Sequence, residues 1–301
     1  MKRFWKRFAI IGLSLVAFLA LAAWVTLTWI LTRPPNYDPS IDVGPVVLRS
    51  WPEHNAIYKQ TTFPYVLSVD AAPGALEYIG AKHTSDATAP QLTEIEQRWA
   101  AFKPTVALCE GRSRAYRFAS RPQSGQLSES DLTRILANRH GVPLYTLEPT
   151  YEAEVTSLLK HFEPKLVATY MTLRVYSAES SRSANTPKAT QDALASTLLR
   201  KRVNVKGLRD TFTSIAELDA YWNSNFPEEP DWRTLPDTEH TPLLVEVGNV
   251  SRQVRGENMV RTLVELVNQG ERVLAVVGAS HVIRQEPMLK QVLQGEPANQ
   301  D

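Results

Sequence analysis

Residues Phe8 to Leu31 form an unbroken run of 24 residues without a charge. At about 1.5 Å per residue, a helix of that length crosses the roughly 30 Å hydrocarbon layer of a bilayer. Lys2, Arg3, Lys6 and Arg7 precede the run and only Arg33 closely follows it. This excess of positive charge keeps the N-terminus cytoplasmic and exports the rest. The expectation is one transmembrane signal-anchor in the inner (plasma) membrane carrying a periplasmic or otherwise extracytoplasmic domain. The rival expectation is a signal peptide cleaved near Ala20-Leu21-Ala22, but the apolar run continues nine residues past Ala22. Residues 34–60 read as a proline-bearing linker, 61–295 as one domain and 296–301 as a tail.

Charge and cysteine narrow the chemistry of that domain. The 33 basic and 32 acidic residues leave a net charge of +1, so no global field draws in nucleic acid. Cys109 is the only cysteine, which excludes an internal disulfide and any multi-cysteine metal site.

From Ala75 onward, short apolar runs alternate with amphipathic stretches. Strands are expected at 75–79, 105–109, 143–147 and 272–277. Helices are expected at 90–102, 129–139, 150–161, 164–178, 191–202, 214–226 and 253–268. Ser128 and Asp131 stand in capping spacing, with Gly141 as a stop. Strands separated by helices imply an α/β fold with a largely parallel central sheet flanked by helices. The unbroken apolarity of Val273 to Val277 implies that both faces of the sheet are covered.

Two of these strands end in the same short pattern. His83 follows Tyr78-Ile79-Gly80 and His281 follows Val276-Val277-Gly278, while Glu110 ends a third strand. Ligands of open α/β sheets bind beyond the carboxyl ends of the strands, so a parallel arrangement brings the three groups to one edge. Gly80 and Gly278 would permit positive φ and close backbone approach. Two imidazoles and a carboxylate can hold a divalent metal, or can serve as base and acid on water.

The segments Tyr78-Ile-Gly-Ala-Lys-His83, Leu108-Cys-Glu-Gly111, Glu257-Asn-Met-Val260 and Arg272-Val-Leu-Ala-Val-Val-Gly-Ala-Ser-His281 resemble the TraB/PrgY/GumN/TIKI family, which is related to erythromycin-esterase and ChaN-like proteins. The similarity runs in order over roughly residues 75 to 290. The resemblance implies an active site at Gly80, His83, Glu110, Gly278 and His281. It also implies a metal-dependent peptidase or an esterase, with haem binding in a related branch. Where relatives carry Arg-Asn or Arg-Asp before the last helix, this chain has Arg255-Gly256-Glu257-Asn258. Arg255 or Asn258 would then orient His281 or stabilise an oxyanion.

Other polar groups have local readings. Arg112 can bind a substrate carboxylate or developing negative charge, or simply be a solvated loop arginine. Glu148 reaches the same edge if its strand is parallel; otherwise it supports a helix start. His140 stands at a helix end, where it favours the dipole and reads as structural, and His54, His161 and His240 show no partner spacing. The chain lacks a Gly-x-Ser-x-Gly elbow, a phosphate-binding glycine loop and a His-Glu-x-x-His motif, which argues against a serine hydrolase, a nucleotide enzyme and a conventional zinc protease. The expectation is a membrane-anchored hydrolase acting on a peptide, ester or other small molecule. The alternatives are a non-catalytic haem or small-ligand binding protein and a degenerate interaction module.

Overall fold

A computed structural model describes residues 33–111, 120–180, 188–235 and 241–295. The expected anchor at 8–31 and the tail at 296–301 lie outside the described residues. Among the described residues, no helix is long and apolar enough to cross a membrane.

The span 61–295, expected as one domain, divides between two compact units. The first comprises Met1–Glu148 and Val260–Asp301, the second Pro149–Met259. Each has its own hydrophobic core. Ile79, Trp99, Ile135 and Val276 belong to one, and Met171, Leu199, Trp222 and Trp232 to the other.

Unit 1 holds a five-stranded sheet in the order β1-β2-β5-β3-β4. The strands are β1 (Tyr65–Ala71), β2 (Gly74–Ala81), β3 (Val106–Cys109), β4 (Leu144–Thr146) and β5 (Arg272–Gly278). Four of them run parallel, and β1, which the sequence pattern does not announce, pairs antiparallel with β2 at the edge. In register, Ile79, Val276, Cys109 and Thr146 form one row across the four parallel strands.

Both faces are covered, as the apolar strands predict. Ile79, Ala107, Leu274 and Val276 pack with α2 (Pro90–Phe102) and α3 (Glu129–His140). The neighbouring Tyr78 points the other way, because side chains alternate along a strand. Its hydroxyl donates to Gln285 on α9 (Ala279–Gln294) at 2.9 Å. Fully burying a side chain such as Ile79 or Leu92 stabilises by about 1.5–3 kcal/mol, and both are 0% exposed. Ser128 caps α3 by accepting from the Asp131 N–H at 3.1 Å, and Gly141 ends it at φ 68°, as the capping pattern predicts.

Residues 34–60 are not a free linker. The Pro35 carbonyl accepts from the Thr146 N–H at 2.8 Å and Asn36 bridges in parallel to Thr146, extending the sheet beside β4. The Glu265 carboxylate accepts from the N–H groups of Ser40 and Ile41 at 2.6 and 2.7 Å. Trp51–Gln60 is a helix, α1, started by a Ser50–Glu53 capping box and packed on α9. These partners lie more than 100 residues away in sequence, so local composition cannot reveal them.

Unit 2 contains α4 (Tyr151–Leu158), α5 (Pro164–Ser180), α6 (Lys188–Val203), α7 (Ile215–Asn225), a 3-10 turn at Trp232–Thr234 and the residues of α8 (Pro242–Asn268) up to Met259. Helix α8 starts eleven residues before the expected Gln253, where Thr241 Oγ1 accepts from the Leu244 N–H at 3.1 Å and Leu244 and Val247 are buried. In this unit the Arg174 guanidinium forks onto both oxygens of Glu154, and Ser251 Oγ donates to Glu154 at 2.6 Å.

Candidate active site

The parallel strands place the sequence candidates of unit 1 at one edge. β2 ends at Ala81, two residues before His83. β3 ends at Cys109, immediately before Glu110. β5 ends at Gly278, and His281 sits in the first turn of α9.

Glu110 is the hub. Its Oε2 accepts from the Gly278 N–H at 2.7 Å, and its Oε1 lies 3.2 Å from His281 Nε2. His83 Nε2 stands 3.7 Å from Glu110 Oε2. That is too long for a hydrogen bond but is ion-pair range. The side chains of Glu110 and His281 are each 19% exposed, whereas His83 is 70% exposed. His83 is therefore the member of the trio that meets solvent.

A second carboxylate joins them. Glu129, the first residue of α3, has a side chain 6% exposed, and its Oε2 lies 3.8 Å from His83 Nδ1. The Glu129 carboxylate raises the His83 pKa above its ordinary 6.5; burial pulls it down and Glu110 adds to the rise. Sequence reading treated Glu129 only as the start of a helix. Its only trace in the sequence is an acid directly after Ser128, which already supplies the cap.

The two glycines act through space rather than through unusual dihedrals. Gly80 lies inside β2, and neither it nor Gly278, at φ −62°, has positive φ. A methyl on Gly80 would come within 2.8 Å of Ala279 Cα and 3.0 Å of Val282 Cγ2. A methyl on Gly278 would come within 2.7 Å of His83 Nε2 and 3.2 Å of Glu110 Oε2. Gly80 thus lets α9 approach the sheet, and Gly278 lets His83 approach Glu110.

The remaining candidates divide. Glu148 lies two residues beyond β4 and its carbonyl accepts from Asn36 Nδ2 at 2.7 Å. Burial pushes the Tyr78 hydroxyl well up, with the charges of Glu110 and Glu148 adding to the effect. Arg112 lies outside the described residues. Arg255 and Asn258 are on α8 in unit 2. There burial raises the Glu154 pKa, but Arg174, Ser251 and Arg255 outweigh it and hold the carboxyl below its usual range.

His54, read as a linker residue, is buried. Its Nε2 is 3.0 Å from Ser280 Oγ, next to His281 in sequence. Arg49 Nη1 donates to the Ile283 carbonyl, and the Arg284 Nε donates to the Arg49 carbonyl at 2.9 Å. The N-terminal segment thereby fixes the first turns of the helix that carries His281.

A metal would need donors converging at about 2.0–2.2 Å on one point. The separations of 3.2 and 3.7 Å between Glu110 and the two histidines suit neighbouring ligands taken pairwise. However, Glu110 Oε2 is already held by the Gly278 N–H. Among the described residues, no group of three or more His, Cys, Asp or Glu side chains is placed to hold a metal ion. The arrangement is an exposed imidazole beside two carboxylates and a second imidazole. The chain matches no protein-family model, no curated protein and no solved structure.

Proposed function

We propose that this edge is a hydrolytic centre for an ester or amide bond, with His83 as the group that moves the proton. The observation that carries the reading is the position of His83: 70% exposed, with Glu110 Oε2 at 3.7 Å and Glu129 Oε2 at 3.8 Å. Neutral His83 takes a proton from water as the water oxygen bonds to the carbonyl carbon. It returns that proton to the leaving oxygen or nitrogen as the bond to carbon breaks. A proton shuttle of this kind contributes typically 10²–10⁴-fold. Glu110 stabilises the imidazolium formed in between and is itself oriented by the Gly278 N–H and His281. Helix α9 begins at Gly278 without a side-chain cap. Its positive end therefore faces the site, where negative charge develops on the carbonyl oxygen.

The test is turnover of p-nitrophenyl acetate and of quenched-fluorescent peptides by the chain reconstituted in detergent. His83→Ala should lower kcat/KM at least 100-fold while the melting temperature stays within about 3 °C. An unchanged rate sinks the hydrolase reading. A Soret shift on titration with haem, abolished by His83→Ala, would instead support the ligand-binding alternative.

A further inference from the structure

The loop that carries His83 is held on both sides from the helical layer. Glu129 Oε1 accepts from the Thr84 N–H at 2.8 Å and from Gln91 Nε2 at 3.0 Å. Gln91, in the first turn of α2, also bonds Lys82 in both directions. Its Oε1 accepts from the Lys82 N–H at 3.1 Å and its Nε2 donates to the Lys82 carbonyl at 2.6 Å. The residues before and after His83 are thus tied to one buried glutamate and one buried glutamine. Glu129 is 5% exposed and Gln91 8%.

Burying a carboxylate costs free energy that its partners must offset. Helix α3 does not require it, because Ser128 already caps the N-terminus. The positive end of the α3 dipole and two N–H donors are therefore spent on a carboxylate that stands 3.8 Å from the exposed His83.

We propose that Glu129, acting through Gln91 and the Lys82–Thr84 backbone, is a positioning residue that sets His83 Nε2 over Glu110 and Gly278. The proposal rests on the hydrolytic reading of this edge for its kinetic consequence, but its structural core does not. A 1 Å displacement of a catalytic group can cost on the order of 10²-fold in rate, so the effect belongs in kcat rather than KM.

Two measurements on the full chain test it. In turnover of p-nitrophenyl acetate, Glu129→Ala should lower kcat at least 30-fold with KM within threefold. Glu129→Gln, whose amide oxygen still accepts from Thr84 and Gln91, should recover kcat to within fivefold of the parent. Equal kcat in parent and Glu129→Ala overturns the proposal, as does a Glu129→Gln variant no better than alanine. In hydrogen exchange, Gln91→Leu should speed exchange of the Lys82 amide and Glu129→Ala that of the Thr84 amide, each at least tenfold. The Val276 amide in the sheet should keep its rate. Unchanged loop amides overturn the clamp. This readout needs no turnover, so a chain that hydrolyses nothing would refute the proposed function while the exchange data still decide the role of Glu129.

Discussion

The main-chain N–H of Gly278 donates to Oε2 of Glu110 at 2.7 Å. The last residue of β5 thereby fixes the carboxylate that stands just beyond β3. The two strands are neighbours in register, Val276 opposite Cys109. The carboxylate is aimed by the sheet itself rather than by a loop.

Gly278→Ala is compatible with the backbone, at φ −62°, but not with the space, since its methyl would meet His83 Nε2 at 2.7 Å. Activity should fall at least 100-fold because the exposed His83 ring must swing off Glu110, while stability should change by less than about 1 kcal/mol, since a side chain at the surface can give way. Kinetics and urea unfolding of the one variant check both numbers.

Gly80→Ala should act mainly on stability. Its methyl meets backbone, Ala279 Cα at 2.8 Å, which cannot swing aside as a flexible side chain can. A loss of about 1–3 kcal/mol is expected in urea unfolding. A value near zero would mean that α9 moves away from β2 without penalty.

Much of this edge is legible in the sequence because it depends on strand ends. Tyr78-Ile79-Gly80 and Val276-Val277-Gly278 announce buried strands, and parallel pairing follows from the intervening helices. That is enough to bring His83, Glu110 and His281 together. Glu129 and Gln91 escape notice because a buried polar residue looks like any helical polar residue until its partner is known. His54 escapes because its partner Ser280 is 226 positions away. The strand β1 is likewise hidden: it is an edge strand whose burial alternates, and only pairing with β2 defines it. The expectation that glycine supplies positive φ fails for both motif glycines, since missing side-chain volume leaves the same sequence signature.

The pH dependence has a definite sign. The His83 pKa is raised by Glu129, so its neutral, proton-accepting form becomes the majority only at a pH above that of an ordinary histidine. kcat/KM should therefore rise with pH through a raised midpoint, matched by the His83 imidazole signal in NMR titration. The same raised value contributes stability that is fully present below the unfolded-state pKa and lost as pH rises through the folded one. With the side chain 70% exposed, solvent screening keeps that contribution small. A midpoint at or below the ordinary value would contradict the arrangement.

In unit 2, Glu154→Ala leaves the half-buried Arg174 guanidinium without the carboxylate it forks onto. Removing one partner of a fully buried pair costs about 3–5 kcal/mol; with the arginine side chain 27% exposed, a smaller loss is expected in urea unfolding. The double replacement of Glu154 and Arg174 by Leu and Met should recover most of the loss, because neither charge is then stranded.

Metal content gives a further check on the proton-transfer reading. The protein purified without chelator should carry less than one tenth of an equivalent of zinc, iron or manganese, and EDTA should leave turnover unchanged. A stoichiometric metal lost in His83→Ala would replace the mechanism by a metal-dependent one.

The docking of Pro35 and Asn36 beside β4 sets a leash length. Only residues 32–34 separate the end of the uncharged run at Leu31 from Pro35, whose carbonyl is already bonded to Thr146. At about 3.5 Å per residue, four steps span about 14 Å. Asn36, Thr146 and Cys109 lie in one row, and two strand spacings of about 4.8 Å add about 10 Å to reach the level of Glu110. If residues 8–31 span a bilayer, the fully extended leash keeps the site within at most about 25 Å of its surface. On the proposed hydrolytic reading, only bonds presented inside that thin shell are then within reach.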